Sequence, residues 1–249
     1  MTRVVGLIPS RIGSKRLPNK PLKIIQGFPM FYHVYKRAML SNIDEVFLCT
    51  DSELILMSAK KYNIPTIMTS SKHKNGSERV GEAAEKLNLK SHDLIINIHG
   101  DEPLLDPSTI NKLSNFYFSN DFDIVFPFLS VEVPLKNNLN SVKIVTNQSN
   151  RVLYLSRNLI PSGYNNLSKI KKQCGLTSFT KKILDNYNSF SPSINEKIEQ
   201  IEMLRALDNG LTLGAVEIKK YSISVDTQKD LNRVRILMLD DIVTKKYLN

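Results

Sequence analysis

Short apolar runs alternate with longer segments of helical spacing in the first half of the chain. The first run, residues 4–9, is apolar and contains β-branched residues, as is typical of a strand buried on both faces. Similar strand patterns occupy residues 45–50, 64–68 and 93–98, and helical patterns occupy residues 30–40, 52–62 and 78–87. This alternation predicts an α/β fold, in which helices cover both faces of a mostly parallel central sheet.

The second half of the chain is less regular. A stretch at 158–172 contains Pro161, Gly163 and two adjacent asparagines, which predicts a long exposed loop. The other predicted elements are strands at 124–129, 142–146, 151–155, 211–218 and 223–225, and helices at 194–207 and 227–247. Since no segment has the composition of a linker, we predict a single domain over residues 1–249. A smaller, more antiparallel insertion at about 125–190 is the natural place for dimerisation.

The composition excludes several classes of protein. With 41% hydrophobic and 23% charged residues, the chain can form a sizeable core. No stretch approaches the roughly 20 apolar residues of a membrane span, and no signal-peptide pattern precedes the first strand. Cys49 and Cys174 give neither a disulfide framework nor a CxxC metal motif. We therefore expect a cytoplasmic protein without a membrane partner.

The formal net charge of +10 is high enough to ask whether the chain binds nucleic acid. The lysines, however, are scattered from end to end, and no basic patch is interleaved with aromatic residues. No recognition-helix pattern is visible either. We interpret the charge as a solvated, lysine-rich surface and expect no nucleic-acid partner.

The loop after the first strand concentrates cations and small residues. It contains Ser10, Arg11, Gly13, Ser14, Lys15, Arg16 and Lys20. Cations, hydroxyls and exposed backbone N–H groups at the end of a strand can converge on a polyphosphate. The sequence is neither a Walker A loop nor a GxGxxG motif. A solvated surface loop is the alternative, but the glycine and serine among the cations favour phosphate binding.

Two aspartates follow predicted strands and are candidate metal ligands. Asp101 lies in the turn after the strand at 93–98, and Asp226 follows the short strand at 223–225. Ligands of open parallel sheets bind at the carboxyl ends of the strands, and Mg²⁺ prefers carboxylate oxygens. The alternatives are helix and turn caps, Asp226 for a helix that begins at Thr227 and Asp101 for its own turn. His99, beside this turn, is a candidate substrate contact or a polar packing residue.

Eight motifs occur in an order that covers nearly the whole chain. They are LIPSRIGSKRLPNKPL (7–22), CTDS (49–52), GSERV (76–80), INIHGDEPLL (96–105), SVKIV (141–145), YLSRNLIP (154–161), IEMLRALDNG (201–210) and SVDTQKDLNRV (224–234). This set resembles the 3-deoxy-manno-octulosonate (KDO) cytidylyltransferases, also called CMP-KDO synthetases. The resemblance implies a Rossmann-like, GT-A-like nucleotidyltransferase fold of three layers and a homodimer.

The resemblance also implies an activity and the residues that carry it. The family transfers CMP from CTP to an acidic 3-deoxy sugar with Mg²⁺, releases pyrophosphate, and makes an activated sugar for lipopolysaccharide or capsule synthesis. The positions that match its catalytic residues are Arg11, Lys20, Asp101 and Asp226, of which the two aspartates match the Mg²⁺ ligands. The positions that match its other CTP contacts are Ser10, Ser14, Arg16, Ser77 and Arg79, with Ser77 and Arg79 near the cytosine and ribose.

The sugar half of the family pattern is altered in this chain. His99 stands where the family has glutamine, the H-x-G-x-Y-x-Y strand reads QCGLTSF (173–179), and the E-Q-L-R segment reads EMLR (202–205). The expected sugar contacts are His99, Gln173, Thr177, Phe179 and Glu202. The changes remove several hydrogen-bonding groups, and a site built around such groups discriminates strongly between ligands.

Three interpretations of the altered pocket remain open. The chain is a cytidylyltransferase for KDO or a close relative, a cytidylyltransferase for a different ulosonic or amino-ulosonic acid, or a CTP-binding paralogue without catalysis. The retained basic loop and aspartates argue against the third, since a protein that only binds CTP does not need both.

Overall fold

A ten-stranded sheet forms the middle layer of the part of the chain that the computed structural model describes, residues 2–14, 16–133, 138–162, 168–220 and 222–248. The strands are β1 (Val4–Ser10), β2 (Ile24–Ile25), β3 (Phe28–Pro29), β4 (Glu45–Thr50), β5 (Thr66–Met68), β6 (Leu94–Ile98), β7 (Ile124–Glu132), β8 (Lys143–Thr146), β9 (Val152–Ser156), β10 (Lys169–Gln173), β11 (Leu176–Thr180) and β12 (Leu213–Glu217). The helices are α1 (Met30–Ala38), α2 (Glu53–Lys60), α3 (Gly76–Lys86), α4 (Pro107–Phe118), α5 (Lys181–Ser189), α6 (Ile194–Glu199), α7 (Met203–Asp208), α8 (Gln228–Leu237) and α9 (Ile242–Leu248). Strands β2 and β3 form a separate small hairpin.

The order of the strands is β5-β4-β1-β6-β11-β7-β10-β8-β9, and β12 pairs with β7. The strands β5, β4, β1 and β6 are parallel, whereas β11 runs antiparallel to both β6 and β7. The chain passes from β1 to β4 on one side and returns to β6 on the other, so a crevice opens at the carboxyl ends of β1 and β6. The predicted α/β fold is confirmed, and the antiparallel strands continue the same sheet.

The two faces of the sheet bury two different sets of apolar side chains. Leu7 and Ile95 belong to the cluster that includes residues of α3 and α5, and their neighbours Ile8 and Ile96 belong to the cluster with residues of α1 and α4. Alternation along a strand sends neighbouring side chains to opposite faces, so β1 and β6 must be apolar throughout. These strands are therefore continuous apolar runs in the sequence because helices cover both faces of the sheet.

The prediction of a loop over 158–172 is wrong at its end. Residues 169–173 form β10, which pairs with β7 and β8. The segment KIKKQ has the charge of a loop, but Lys171 places its ammonium 4.8 Å from the centre of the Phe128 ring and donates to the Thr146 hydroxyl at 2.5 Å. Long cationic side chains can cover apolar surface in this way, which masks the strand pattern. Residues 163–167 of the predicted loop lie outside the described residues.

The predicted helices of the second half are shorter than expected. The pattern at 194–207 divides into α6 and α7, because Gln200 adopts a left-handed conformation with φ of 54°. The pattern at 227–247 divides into α8 and α9. Residues 223–225 form no strand, and α5 was not predicted; its start is marked by Thr180, whose side chain accepts a hydrogen bond from the Ile183 amide.

A buried arginine ties the C-terminal helix to the body of the fold. Arg37 on α1 is 1% exposed, and it donates to the carbonyl of Leu105 at 3.0 Å and to the hydroxyl of Thr244 at 2.9 Å. Its charge is balanced by Asp241, with which it forms an ion pair. Removing one partner of such a pair leaves an uncompensated charge in the interior.

We expect Asp241→Ala to lower the free energy of unfolding by about 3 kcal/mol, since the Arg37 guanidinium would stay buried without its counter-charge. Denaturant unfolding followed by circular dichroism measures this change. Asp240→Ala is the matched control, because the neighbouring Asp240 is exposed. Equal stability of the two variants would contradict the assigned role of the ion pair.

Candidate active site

A cleft of about 750 Å³ opens where β1 and β6 end. Its walls come from the loop after β1, the start of α3, the turn after β6, the end of β10, the start of β11, the α6–α7 connection and the segment before α8. All but one of the site residues predicted from the sequence line it: Ser10, Arg11, Ser14, Arg16, Lys20, Ser77, Arg79, His99, Asp101, Gln173, Thr177, Glu202 and Asp226. The exception is Phe179.

The basic loop is anchored on one side and faces the cleft on the other. Leu17 is buried in a small apolar cluster with Val225 and Leu231, which fixes the loop against α8. Arg11, Ser14 and Arg16 line the cleft from this loop. Lys15, which the sequence placed among the same cations, lies outside the described residues. This anchoring fixes the position of the loop, although Arg11, Ser14 and Arg16 belong to no helix or strand.

The two candidate metal ligands meet at one ammonium group. The Nζ atom of Lys20 lies 2.5 Å from a carboxylate oxygen of Asp101 and 3.2 Å from one of Asp226. Arg16 lies 2.9 Å from the same oxygen of Asp226. The Val225 amide donates to the Asp101 carbonyl at 2.9 Å, which fastens the two loops together. The fold thus brings together two aspartates that are far apart in sequence.

Asp226 does not serve as the helix cap that the sequence left open. Thr227 caps α8, and Asp230 completes its capping box. The carboxylate of Asp226 is bonded to Lys20 and Arg16 instead. Burial acts to raise the pKa of Asp101, but the neighbouring charges of Lys20 and His99 outweigh it and hold that pKa below its usual value. Both carboxylates thus face cations in this structure.

A glycine allows the Asp101 turn to approach β1. A Cβ atom at Gly100 would lie 2.9 Å from the carbonyl oxygen of Pro9 and 2.8 Å from the hydroxyl of Ser10. A larger residue would push the turn away from the end of β1 and separate Asp101 from the basic loop. The hydroxyl of Ser10 is buried there without a hydrogen-bond partner among the described residues, so it remains free to meet a ligand.

The start of α3 forms another wall of the cleft, next to the end of β1. Asn75 caps this helix by accepting from the Glu78 amide at 2.9 Å. Arg79 is buried, and its guanidinium donates to Asp51 at 2.8 Å and to Thr69 at 2.5 Å. These bonds hold the Arg79 guanidinium in the wall of the cleft next to β4.

The far end of the cleft has a different chemical character. The Ser77 hydroxyl donates to Glu202 at 2.8 Å, and burial raises the pKa of this carboxyl group despite that bond. Gln173, Thr177 and Met203 complete the wall, and His99 is exposed on the cleft. This end contains hydroxyl, carboxamide and carboxylate groups, whereas the guanidinium and ammonium groups of the basic loop lie at the other end.

Phe179 does not line the cleft, which corrects its assignment as a substrate contact. It faces the same side of β11 as Thr177, but it pairs with Ile95, two residues deeper in the sheet than Asn97, the partner of Thr177. The side chain is 1% exposed and belongs to the main apolar core.

Sequence reasoning missed Asn97, which lines the cleft from the end of β6. The signal was visible, since an asparagine interrupts the apolar run LIINI. It also missed Val142, Gln200 and Ile201 in the same cleft. Val142 and Ile201 lie within the family motifs, but their apolar side chains gave no chemical signal, and Gln200 lies outside those motifs.

Among the described residues, no group of three or more His, Cys, Asp or Glu side chains could hold a metal ion. Within the same ranges, no helix combines the length and the apolar content needed to span a bilayer. A divalent cation at Asp101 and Asp226 would therefore need further oxygen ligands from water or from a bound phosphate, as Mg²⁺ commonly takes.

Residues 5–220 match the family model described as cytidylyltransferase. A 3-deoxy-manno-octulosonate cytidylyltransferase from a Nitratiruptor species is 35% identical over 92% of this chain and 97% of its own length. The one from Lawsonia intracellularis is 39% identical over 94% of this chain and 93% of its own.

The solved structure of CMP:2-keto-3-deoxy-manno-octonic acid synthetase complexed with CTP superposes with a TM-score of 0.90 and 30% identity, over 96% of this chain and 99% of that one. An inositol-1-phosphate CTP transferase from T. maritima shares the fold, with a TM-score of 0.71 at 16% identity over 100% of this chain and 98% of its own. With relatives this similar along almost its entire length, the chain belongs to the 3-deoxy-manno-octulosonate cytidylyltransferase family.

Proposed function

We propose that this protein transfers CMP from CTP to KDO and releases pyrophosphate. The observation that carries the proposal is the meeting of the basic loop with Asp101 and Asp226 at one cleft. A solved CMP:2-keto-3-deoxy-manno-octonic acid synthetase complexed with CTP, which matches this chain almost from end to end, supports it. We also place the reaction in the cytoplasm, and its product in lipopolysaccharide or capsule synthesis, as the resemblance implies.

The cations of the basic loop suit the triphosphate of CTP. Arg11, Arg16 and Lys20 line one end of the cleft, together with the hydroxyls of Ser10 and Ser14. In a displacement at the α-phosphorus, negative charge grows on the departing pyrophosphate. Fixed cations next to that charge lower the barrier, and they need no reorganisation at the moment of reaction.

The site fits Mg²⁺ with Asp101 and Asp226 as its protein ligands. The Lys20 ammonium, which lies between the two carboxylates, supports this proposal because it already occupies the position of a cation there. When bound, Mg²⁺ would neutralise phosphate charge and favour deprotonation of a nearby hydroxyl. Lys20 would then have to leave one or both carboxylates, and the triphosphate offers it new partners.

The remaining work of this chain is to position the acceptor. The anomeric hydroxyl of the sugar attacks the α-phosphorus in line and loses its proton to solvent, the oxygen–phosphorus bond to pyrophosphate breaks, and CMP becomes attached to the sugar. Glu202, the predicted sugar contact, accepts from the predicted CTP contact Ser77 with one oxygen and retains the other oxygen for a sugar hydroxyl. Holding both reactants in line converts an encounter in solution into an oriented reaction.

We expect the purified protein to release pyrophosphate when it is incubated with CTP, Mg²⁺ and KDO. A coupled phosphate assay measures the release, and omission of the sugar is the control. Release with another ulosonic or amino-ulosonic acid but not with KDO would assign the altered pocket to that sugar. Binding of CTP without turnover on any acidic sugar would contradict the enzymatic proposal and support the non-catalytic paralogue.

We expect Asp101→Asn and Asp226→Asn each to lower kcat by at least about 100-fold, since each removes a negative charge from the cation site. The matched control is Asp185→Asn, which makes the same substitution on α5, where the Asp185 carboxylate pairs with Lys181 outside the cleft. This control should leave kcat within about twofold of the wild type, since an exposed ion pair of this kind contributes little to stability. Full activity of Asp226→Asn would refute the assignment of that ligand.

We further propose a homodimer in which the apolar surface around β9 and α6 meets its copy. Strand β9 is the last strand of the sheet order, and Leu153 on it is exposed. Ile194 and Ile198 are exposed on α6, which lies next to β9 through the bond of Ser156 to Glu199 at 2.7 Å. An exposed sheet edge with apolar neighbours is a surface that proteins normally cover.

We expect Ile198→Lys to convert the dimer into a monomer, because it places a charge at the centre of this surface. Sedimentation velocity measures the change in mass. Leu54→Lys is the matched control, since Leu54 is equally apolar and exposed but lies on α2, close to the opposite edge strand β5. A wild-type monomer, or an Ile198→Lys dimer, would overturn this proposal.

A further inference from the structure

Asn97 is a buried polar residue in the floor of the cleft. It occupies the end of β6, a strand whose other residues are leucine and isoleucine. The side chain is 5% exposed, and its Oδ1 atom has no hydrogen-bond partner among the described residues. A buried acceptor without a donor is costly, so native structures rarely retain one without a use.

Thr177 stands directly beside Asn97. The two residues are register partners in the antiparallel pair of β6 and β11, so their side chains lie on the same face of the sheet. Both line the cleft, and Thr177 is also only 5% exposed. The pair thus presents a carboxamide and a hydroxyl side by side at the bottom of the site.

The chemistry of the free acceptor limits what can bind there. Oδ1 needs a donor, and an ionised phosphate carries no hydrogen to donate. The triphosphate is therefore excluded as the partner, which leaves a hydroxyl or an amino group. The cleft offers two sources of such groups, the ribose of CTP and the acceptor sugar.

The neighbours of the pair favour the sugar. Thr177 belongs to the same β10–β11 segment as Gln173, and Glu202 and Met203 line the same cleft. These are the positions at which the chain departs from the sugar-binding motifs of the family. The threonine stands where the motif has tyrosine, so the register partner of Asn97 has a shorter side chain in this protein.

We propose that Asn97, together with the expected sugar contact Thr177, forms a polar floor that binds a hydroxyl or amino substituent of the acceptor sugar, and that Asn97 thereby helps to determine which acidic sugar is used. This inference rests on the proposed cytidylyl transfer. The ligand class is a polyhydroxy acid with a hydrogen-bond donor that reaches the bottom of the cleft. Asn97 accepts from that donor, and Thr177 can donate or accept beside it.

The test compares Asn97→Leu and Thr177→Val with the wild type, using KDO as the first sugar. Each variant removes one polar group, and Thr177→Val also preserves the shape of the side chain. We expect the KM for the sugar to rise about tenfold in each, while the dissociation constant for CTP stays within about twofold. Melting temperatures establish that the variants fold, and Thr177→Val provides the test if Asn97→Leu does not.

Ser178→Ala is the matched control. Ser178 is the next residue on β11, but its hydroxyl is directed away from the cleft and donates to the Val125 carbonyl at 3.1 Å. We expect this variant to melt at a lower temperature and to keep the wild-type KM for the sugar. A loss of CTP affinity as large as the rise in KM would assign the pair to the ribose and overturn the inference, and so would an unchanged KM in both variants.

Direct binding separates this inference from the proposed function. Calorimetric titration of KDO, and of other ulosonic acids, into the CTP-loaded protein without Mg²⁺ measures sugar affinity with no turnover. Wild-type protein that binds a sugar but releases no pyrophosphate would contradict the transferase proposal alone, and weaker binding by Thr177→Val would still support the floor. Equal binding by wild type and both variants, or no binding of any sugar by the wild type, would overturn it.

Discussion

The ammonium group of Lys20 holds the active end of this molecule together. It is bonded to Asp101 from the turn after β6 and to Asp226 from the segment before α8, while Lys20 itself ends the loop after β1. Three distant parts of the sequence thus meet at one charge. Two carboxylates that both lie within 3.2 Å of one atom repel each other strongly, so they can come this close only because the Lys20 cation lies between them. Arg16 adds a second positive charge on the Asp226 side.

The meeting of these charges depends on the packing of residues that carry no charge themselves. Gly100 lets the Asp101 turn touch the end of β1, and the buried Leu17 and Val225 fasten the loop and the aspartate segment to α8. The same packing holds a balanced set of charges, in which Lys20 and Arg16 face the carboxylates of Asp101 and Asp226. If Mg²⁺ binds as we propose, it would replace Lys20 at the two carboxylates and free its ammonium group for the triphosphate.

The parallel half of the fold could be predicted because its signals are local. Strands such as β1 and β6 are apolar runs covered on both faces, and the intervening helices carry regular spacing and caps. The spacing of Asp101 and Asp226 could not predict that they meet, because only the topology of the fold brings them together. The family resemblance supplied that prediction. Strand β10 could not be predicted because its lysines resemble the composition of a loop. The break between α6 and α7 could not be predicted because it depends on the left-handed conformation of one residue, Gln200.

The far end of the cleft shows why a motif must be interpreted by how deeply each residue lies in the sheet, as well as by residue type. Thr177 and Phe179 both depart from the same family motif and lie on the same face of β11. One pairs with Asn97 at the end of β6, whereas the other pairs with Ile95 inside the core. A hydroxyl missing at position 179 therefore removes nothing from the cleft, and a change at position 177 alters its floor. Among the departures from the family's sugar-binding motifs, those that reach the cleft are thus His99, Gln173, Thr177 and Met203.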